Sequence, residues 1–180
     1  ISITARPGTF VTERDSLMKV LSPNPLPEKV ALALCAAMVV GNERTPDQDL
    51  EFSIRRIVEI AQRSLSPGFN DPTTALYCID RLREAFVRLA GREAPSHRRL
   101  DDAGHLRIIA TPVTLECLSY NAFAAVAHYA GSDADVLESL AVALGKVIDE
   151  AGVEDHASLV TLRLAVCERN PRHSSWRSPR

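Results

Sequence analysis

Residues 44–89 constrain the fold of this chain most, because they encode two amphipathic helices joined by one short loop. Apolar residues recur at helical spacing on both sides of the loop, which indicates one buried face on each helix. Thr45 and Pro46 are predicted to begin the first helix, as its cap and its first turn. The letters SPG in the loop end that helix, and Asp71-Pro72 begins the second helix in the same way.

Short β-prone runs precede the helical stretch, at residues 2–4, 9–12 and 16–20. Turn residues separate these runs, which predicts two or three short strands similar to the half-barrel hairpins of biotinyl and lipoyl domains. No lysine lies at a tight hairpin tip, so the pattern does not favour a carrier role. A proline-rich connector follows, and then a predicted short helix at 28–34 and a predicted apolar strand at 36–40.

The part that follows the two helices is predicted to contain one β-hairpin and three more helices. The hairpin spans residues 98–110 around a glycine turn. The first of the three helices begins at Thr111-Pro112 and the second at Asp133, because each position places a cap residue before an apolar periodic run. The last helix is predicted from about residue 155 to residue 169.

The predicted fold class is therefore α+β: a mostly α-helical domain with a small N-terminal β subdomain of half-barrel-like hairpins and one additional β-hairpin. We expect the β-rich subdomain over residues 1–40 and the helical domain over residues 41–170, with the additional hairpin near 98–110. Residues 171–180 form a polar, basic tail that we expect to be disordered.

The composition is that of an ordinary soluble globular protein, with 46% hydrophobic and 24% charged residues. The formal net charge of −2 gives no electrostatic reason to expect a nucleic-acid partner. The four cysteines lie far apart, and Cys78 and Cys167 fall among apolar neighbours, so we expect free thiols in a reducing compartment. The longest apolar run, residues 30–40, is shorter than the roughly 20 residues that cross a bilayer.

The loop between the two central helices is the first candidate binding site. Ser66, Asn70 and Asp71 place more polar side chains there than a turn requires, next to the free amide groups at the start of the second helix. The alternative is a structural role, in which Asp71 caps that helix and Asn70 braces the turn.

A charged cluster of Arg44, Asp47 and Asp49 is the second candidate, and it is expected to face the same loop. The two carboxylates are two residues apart and point away from each other on a helix, which argues against a two-carboxylate metal site. Acids favoured by the dipole of a helix start are the structural alternative. The predicted ligand-binding residues are Arg44, Asp49, Ser66, Asn70 and Asp71, and we predict no catalytic residue, metal or cofactor.

Two long strings resemble the signature of an uncharacterised family of bacterial predicted membrane proteins: GNERTPDQDLEF and RSLSPGFNDPTTALYCIDRL, with the motifs RTPxQD and LSPGxNDPxTA. The string RPGTFVTERDSLMKV is similar to the short β-rich segment that precedes the signature in that family. The resemblance implies N-terminal transmembrane helices, missing from this sequence, and a soluble region after them. It brings no established activity, and no catalytic residue is carried over from it.

Two functions are compatible with these observations. The first is the soluble region of a bacterial inner-membrane protein, on the cytoplasmic side, that assembles or regulates a channel- or transporter-like membrane core. The alternative is a small-ligand-binding or enzymatic domain that uses the polar candidates. A deep pocket lined by those residues favours the alternative, whereas their use as caps and braces favours the first function.

Self-association is also expected, because a regulatory domain of this kind commonly forms a symmetric oligomer. The two C-terminal helices carry more apolar residues than a small helical layer requires. We therefore predict a homo-oligomer, with a dimer interface on these helices in the apolar residues of 136–148 and 159–166.

Overall fold

The computed structural model describes residues 1–174 and divides into two compact units. The chain begins in the first unit, enters the second, returns to the first and then enters the second again. The first unit contains residues 1–52 and 95–112, and the second contains residues 53–94 and the chain from 113 onward. The predicted α+β class is confirmed, with helices forming most of the second unit and a small sheet in the first. The first unit therefore extends beyond the expected boundary at residue 40 and includes the predicted hairpin.

A four-stranded mixed sheet organises the first unit. Its strands are β1 Ser2–Ile3, β2 Met18–Lys19, β3 Arg98–Leu100 and β4 Leu106–Ala110. The order is β2-β1-β4-β3, in which β1 runs antiparallel to β2 and parallel to β4. The β3–β4 hairpin is antiparallel and turns at Gly104, whose φ of +81° suits glycine. The hairpin predicted at 98–110 is confirmed, and it pairs with the N-terminal strand through Ser2 opposite Ile109.

Two of the predicted strands are wrong. Residues 9–12 form no strand, because the backbone N–H and the hydroxyl of Thr12 donate to Asp15 Oδ2, at 2.7 and 2.8 Å, and this turn replaces strand pairing. Residues 36–40 are also outside any strand. The helix before them, α1 (Glu28–Ala36), continues two residues further than predicted, because its alanine-rich end favours the helical backbone.

Helices build the second unit. They are α2 Leu50–Ser64, which begins in the first unit, α3 Pro72–Ala90, α4 Leu115–Ser119, a π-helical turn Tyr120–Ala124, α5 Ala125–Ala130, α6 Ala134–Glu150, α7 Val153–Arg169 and α8 Pro171–Ser174. The core lies among these helices, and Phe86 packs edge-on against Phe123 at 5.1 Å between ring centroids. Each such large apolar side chain stabilises the unit by about 1.5–3 kcal/mol when fully buried.

Helix starts follow local capping, although one lies at a different residue from the prediction. Asp133 caps α6 as predicted, since its Oδ1 accepts from the N–H groups of Asp135 and Val136, each at 3.1 Å. The helix predicted from Thr111 instead begins at Leu115, where the Thr114 hydroxyl accepts from Cys117 N–H. At the other end, the expected disordered tail begins with the short helix α8, and the remaining residues 175–180 lie outside the described residues.

The apolar faces of α6 and α7 are used by the core of the second unit. The side chains at 136, 137, 140, 144, 159, 162 and 166 are buried within this chain, and Ile148 is half-buried against the same core. They therefore cannot supply the predicted dimer interface, because their apolar surface is already covered. Self-association of the protein remains a prediction that needs another surface.

Candidate functional site

A partly buried ion pair in the first unit contains two of the predicted site residues. Asp49 is only 5% exposed, and its Oδ2 accepts from both Nε and Nη2 of Arg44, each at 2.7 Å. Its other oxygen, Oδ1, accepts from the Phe52 backbone N–H at 2.9 Å. One carboxylate therefore both neutralises an arginine and caps the start of α2.

This arrangement corrects the predicted start of the helix. Thr45 does not cap α2 and Pro46 is not in its first turn, because the helix begins at Leu50 and its cap is Asp49. The stretch RTPDQD contains several residues that can cap a helix. The burial of Asp49 against Arg44 selects one of them, and residue spacing alone does not reveal that contact.

The ion pair also has a glycine and an aromatic ring against it. The Arg44 guanidinium carbon lies 5.5 Å from the centre of the Phe52 ring, which is a cation–π contact. Gly8 adopts a φ of +78°, and a Cβ there would overlap the Asp49 carboxylate and lie 2.7 Å from Arg44 Nε. The turn in RPGTF and the stretch RTPDQD are thus packed together. Gly8 is not among the predicted site residues, because no local pattern links two segments so far apart in the sequence.

The loop of the second unit is held by its own backbone. Ser66 Oγ donates to the Arg63 carbonyl at 2.7 Å, and the Ser66 carbonyl accepts from the Asn70 N–H at 2.9 Å. Asn70 has a φ of +44°, a left-handed conformation that asparagine tolerates better than most residues. These contacts assign Ser66 and Asn70 to the turn that links α2 to α3.

Asp71 caps α3, as predicted. Its Oδ1 accepts from the Thr74 backbone N–H at 3.2 Å, and its Oδ2 accepts from the Thr74 hydroxyl at 2.5 Å. The hydrogen bond from the Thr74 hydroxyl, followed by that from the Thr74 backbone, lowers the pKa of the Asp71 carboxyl below its usual value of 3.8. A carboxylate therefore already occupies the helix N-terminus where an anion would bind.

The predicted site residues fall into two local clusters rather than one demonstrated site. Arg44 and Asp49 belong to the first unit, and Ser66, Asn70 and Asp71 belong to the second. Two cavities among the described residues are lined by other residues. Ligand binding by these five residues stays a prediction, and the observed contacts give each of them a structural role.

The two cavities lie on the second unit and were not anticipated. One is a shallow groove of about 250 Å³, and the other is a surface hollow along α3. The groove is lined by Glu116, Cys117, Tyr120, Asn121, Ser158, Leu159 and Leu162. Asn121 Nδ2 donates to Cys117 Sγ at 3.6 Å within the groove. Across residues 1–174, no three His, Cys, Asp or Glu side chains are grouped to hold a metal ion.

Replacing Asp49 tests whether the ion pair holds the start of α2. We expect Asp49→Ala to destabilise this region by about 2 kcal/mol, because it leaves Arg44 unpaired and removes a cap. Hydrogen exchange of the Phe52 amide, followed by mass spectrometry, should then accelerate by about 30-fold. The exposed Asp47→Ala is the matched control and should change the exchange by less than about two-fold. Equal acceleration in both variants would contradict this role of Asp49.

Replacing Asp71 tests the second cap through its pH dependence. Because hydrogen bonds from Thr74 lower the folded-state pKa of Asp71, its stabilisation is present above the unfolded value of 3.8 and is lost as the pH falls through the folded value. Asp71→Ala should therefore lower the urea midpoint at pH 7, with an unchanged slope, and the difference from wild type should shrink below pH 3.8. Ser66→Ala, which removes no titrating group, should show a difference that does not vary with pH.

Comparison with known proteins places these observations in a family. The model of the DUF2254 family, described as "Predicted membrane protein", matches residues 1–146. Uncharacterized proteins of Mycobacterium tuberculosis and Mycobacterium bovis are each 40% identical over 89 residues, which is 49% of this chain and 16% of each relative. No solved structure matches the chain. Within the described residues, no helix is both long enough and apolar enough to span a bilayer. Since the family model covers most of the sequence, the chain belongs to the DUF2254 family of predicted membrane proteins.

Proposed function

We propose that this chain is an extramembrane region of a bacterial inner-membrane protein. In this proposal it serves the assembly or regulation of a channel- or transporter-like membrane core and is not an enzyme. The family description supports the membrane association. Exposed ion pairs along α3 support a position in water, since Arg88 and Arg81 bridge to Glu84 at 2.8 and 3.2 Å on the solvent side.

One observation carries the non-enzymatic role: the carboxylates among the predicted site residues already have hydrogen-bond partners within the chain. Both oxygens of Asp49 and both oxygens of Asp71 accept hydrogen bonds from groups within the chain. Catalytic or ligand-binding carboxylates have to offer such oxygens to a bound molecule. Here both carboxylates cap the starts of helices, so the two motifs support a scaffold.

The alternative, a small-ligand-binding or enzymatic domain, needs Arg44, Asp49, Ser66, Asn70 and Asp71 to act on a bound molecule. Asp49 and Asp71 would then have to give up their present hydrogen bonds within the chain in order to bind the ligand. That exchange opposes binding, because the start of α2 or α3 loses its cap as the ligand enters. The first function requires no such rearrangement.

The cytoplasmic side of the inner membrane is the proposed location. Cys35 and Cys117 are exposed free thiols, and Cys78 and Cys167 are also free. Exposed free thiols persist more readily in a reducing compartment than in an oxidising one. The burial of Cys78 raises the pKa of its thiol, which keeps that group protonated and unreactive.

Removing this region from the whole membrane protein tests the assembly role. We expect the protein, purified in a mild detergent, to be a homo-oligomer that loses subunits when residues 1–174 are deleted. Light scattering with correction for bound detergent measures the number of subunits. The double variant Ser66→Ala, Asn70→Gly is the control, because glycine accepts the left-handed conformation of Asn70 and the turn is kept. An unchanged number of subunits after the deletion would refute the assembly role.

Thiol labelling tests the proposed side of the membrane. In intact cells, a membrane-impermeant maleimide should leave Cys35 and Cys117 unmodified, and it should label both after the inner membrane is opened. The variant Cys35→Ser, Cys117→Ser should lose the part of the signal that comes from this chain, because its remaining Cys78 is buried and its Cys167 is partly covered. Labelling of equal strength in intact and opened cells would place the region outside the cytoplasm.

A further inference from the structure

The first unit has no hydrophobic core of its own. Within residues 1–52 and 95–112, the one buried side chain is Asp49, and every apolar side chain is at least partly exposed to solvent. The fully buried apolar residues of the described chain all belong to the second unit. A folded unit needs apolar burial to offset the entropy of ordering its backbone, about 1–2 kcal/mol per residue. This unit lacks that contribution in the chain as it stands.

Large apolar side chains of the first unit lie on its surface instead. Phe10 is 90% exposed and Val39 is 96% exposed. Leu21, Leu32, Val40 and Leu100 are also exposed. We call these six residues, which belong to different segments of the unit, the open face. A unit that buries none of its apolar side chains leaves them to be covered by another molecule or segment.

Helix α1 also lacks full cover for its apolar side chains. Ala31 and Leu34 of the helix, and Met38 just beyond its end, lie three and four residues apart, and all three are half-buried. The residues between them are exposed, and none in the run 30–40 is charged. After the charged residues Glu28 and Lys29, the helix is apolar on every side, and apolar helix surface is stable in proteins when it is covered. The helix therefore has one face against the unit and another without a partner.

The sheet has open edges as well. Its order, β2-β1-β4-β3, leaves β2 and β3 at the two ends. Unpaired strand edges offer backbone N–H and C=O groups that accept a further strand. A sheet this small is also marginal without added strands or a covering layer.

We propose that the open face is the docking surface for a further segment of the same polypeptide, one that adds apolar β-strands and completes the first unit. This docking proposal depends on the proposed function in one respect: both take the chain as one region of a longer membrane protein. The matched region is 16% of the length of the mycobacterial relatives, so polypeptides of this family are long enough to supply the segment.

Two other occupants fit less well. A lipid surface covers apolar side chains but leaves strand edges without hydrogen-bond partners, which is costly in the hydrocarbon region. A second copy related by a two-fold axis pairs one edge with itself and leaves the other edge open. An additional strand-forming segment satisfies the edges and the open face together.

The same substitution in two polypeptides tests this inference. In the 180-residue chain, Val39 is exposed, so Val39→Glu should leave the rate of tryptic cleavage after Lys29 within about two-fold of wild type. In the longer protein encoded by the gene, solubilised in mild detergent, wild type should be cleaved there at least about ten-fold more slowly, and Val39→Glu should restore fast cleavage. Val153→Glu is the matched control: Val153 is 94% exposed in the second unit, and this change should alter neither rate.

Three results would overturn the inference. The first is equal cleavage after Lys29 in the long and short polypeptides. The second is a doubled mass of the 180-residue chain at about 100 μM that Val39→Glu returns to the monomer value, since a second copy then covers the open face. The third is flotation of this chain with phosphatidylethanolamine–phosphatidylglycerol vesicles that Val39→Glu abolishes. The number of subunits in detergent is measured separately, so the assembly role and this inference can fail independently.

Discussion

Burial of apolar side chains between α3, the π-helical turn, α6 and α7 is the interaction on which the described fold depends. Phe86 of α3 contacts Phe123 of the turn, and Leu137, Leu140 and Leu144 of α6 complete the same core. These side chains exclude water almost fully, which makes the second unit a complete packed body. Its loops and caps are arranged around a structure that the core already stabilises.

The first unit is organised by polar contacts instead. Asp49 binds Arg44 and caps α2, Phe52 lies against the guanidinium, and Gly8 leaves room for the carboxylate. Charged hydrogen bonds orient chain segments well, but a buried ion pair contributes little net stability after its desolvation. The contacts around Asp49 therefore fix the segments of this unit relative to one another, although its apolar side chains stay exposed.

The two long motifs of the sequence are therefore structural in the described chain. RTPDQD supplies the cap and ion pair at the start of α2, and LSPGFNDP supplies the turn and cap between α2 and α3. A loop that contains many polar residues is compatible with a binding site, and also with a turn that needs polar side chains to hold its backbone. The partners of the side chains favour the second case, since both oxygens of Asp49 and of Asp71 already accept hydrogen bonds from groups within the chain.

The sequence alone determined what depends on neighbours a few residues apart: the helical periodicity, the caps Asp71 and Asp133, the turn at Gly104 and the α+β class. It also brought all five site candidates to attention through local polarity. Tertiary structure decided the rest. The parallel pairing of β1 with β4, the contact of Gly8 with Asp49 and the use of α6 and α7 in the core join residues distant in sequence. Local spacing carries no information about such contacts, because they depend on how the whole chain closes around its apolar surface.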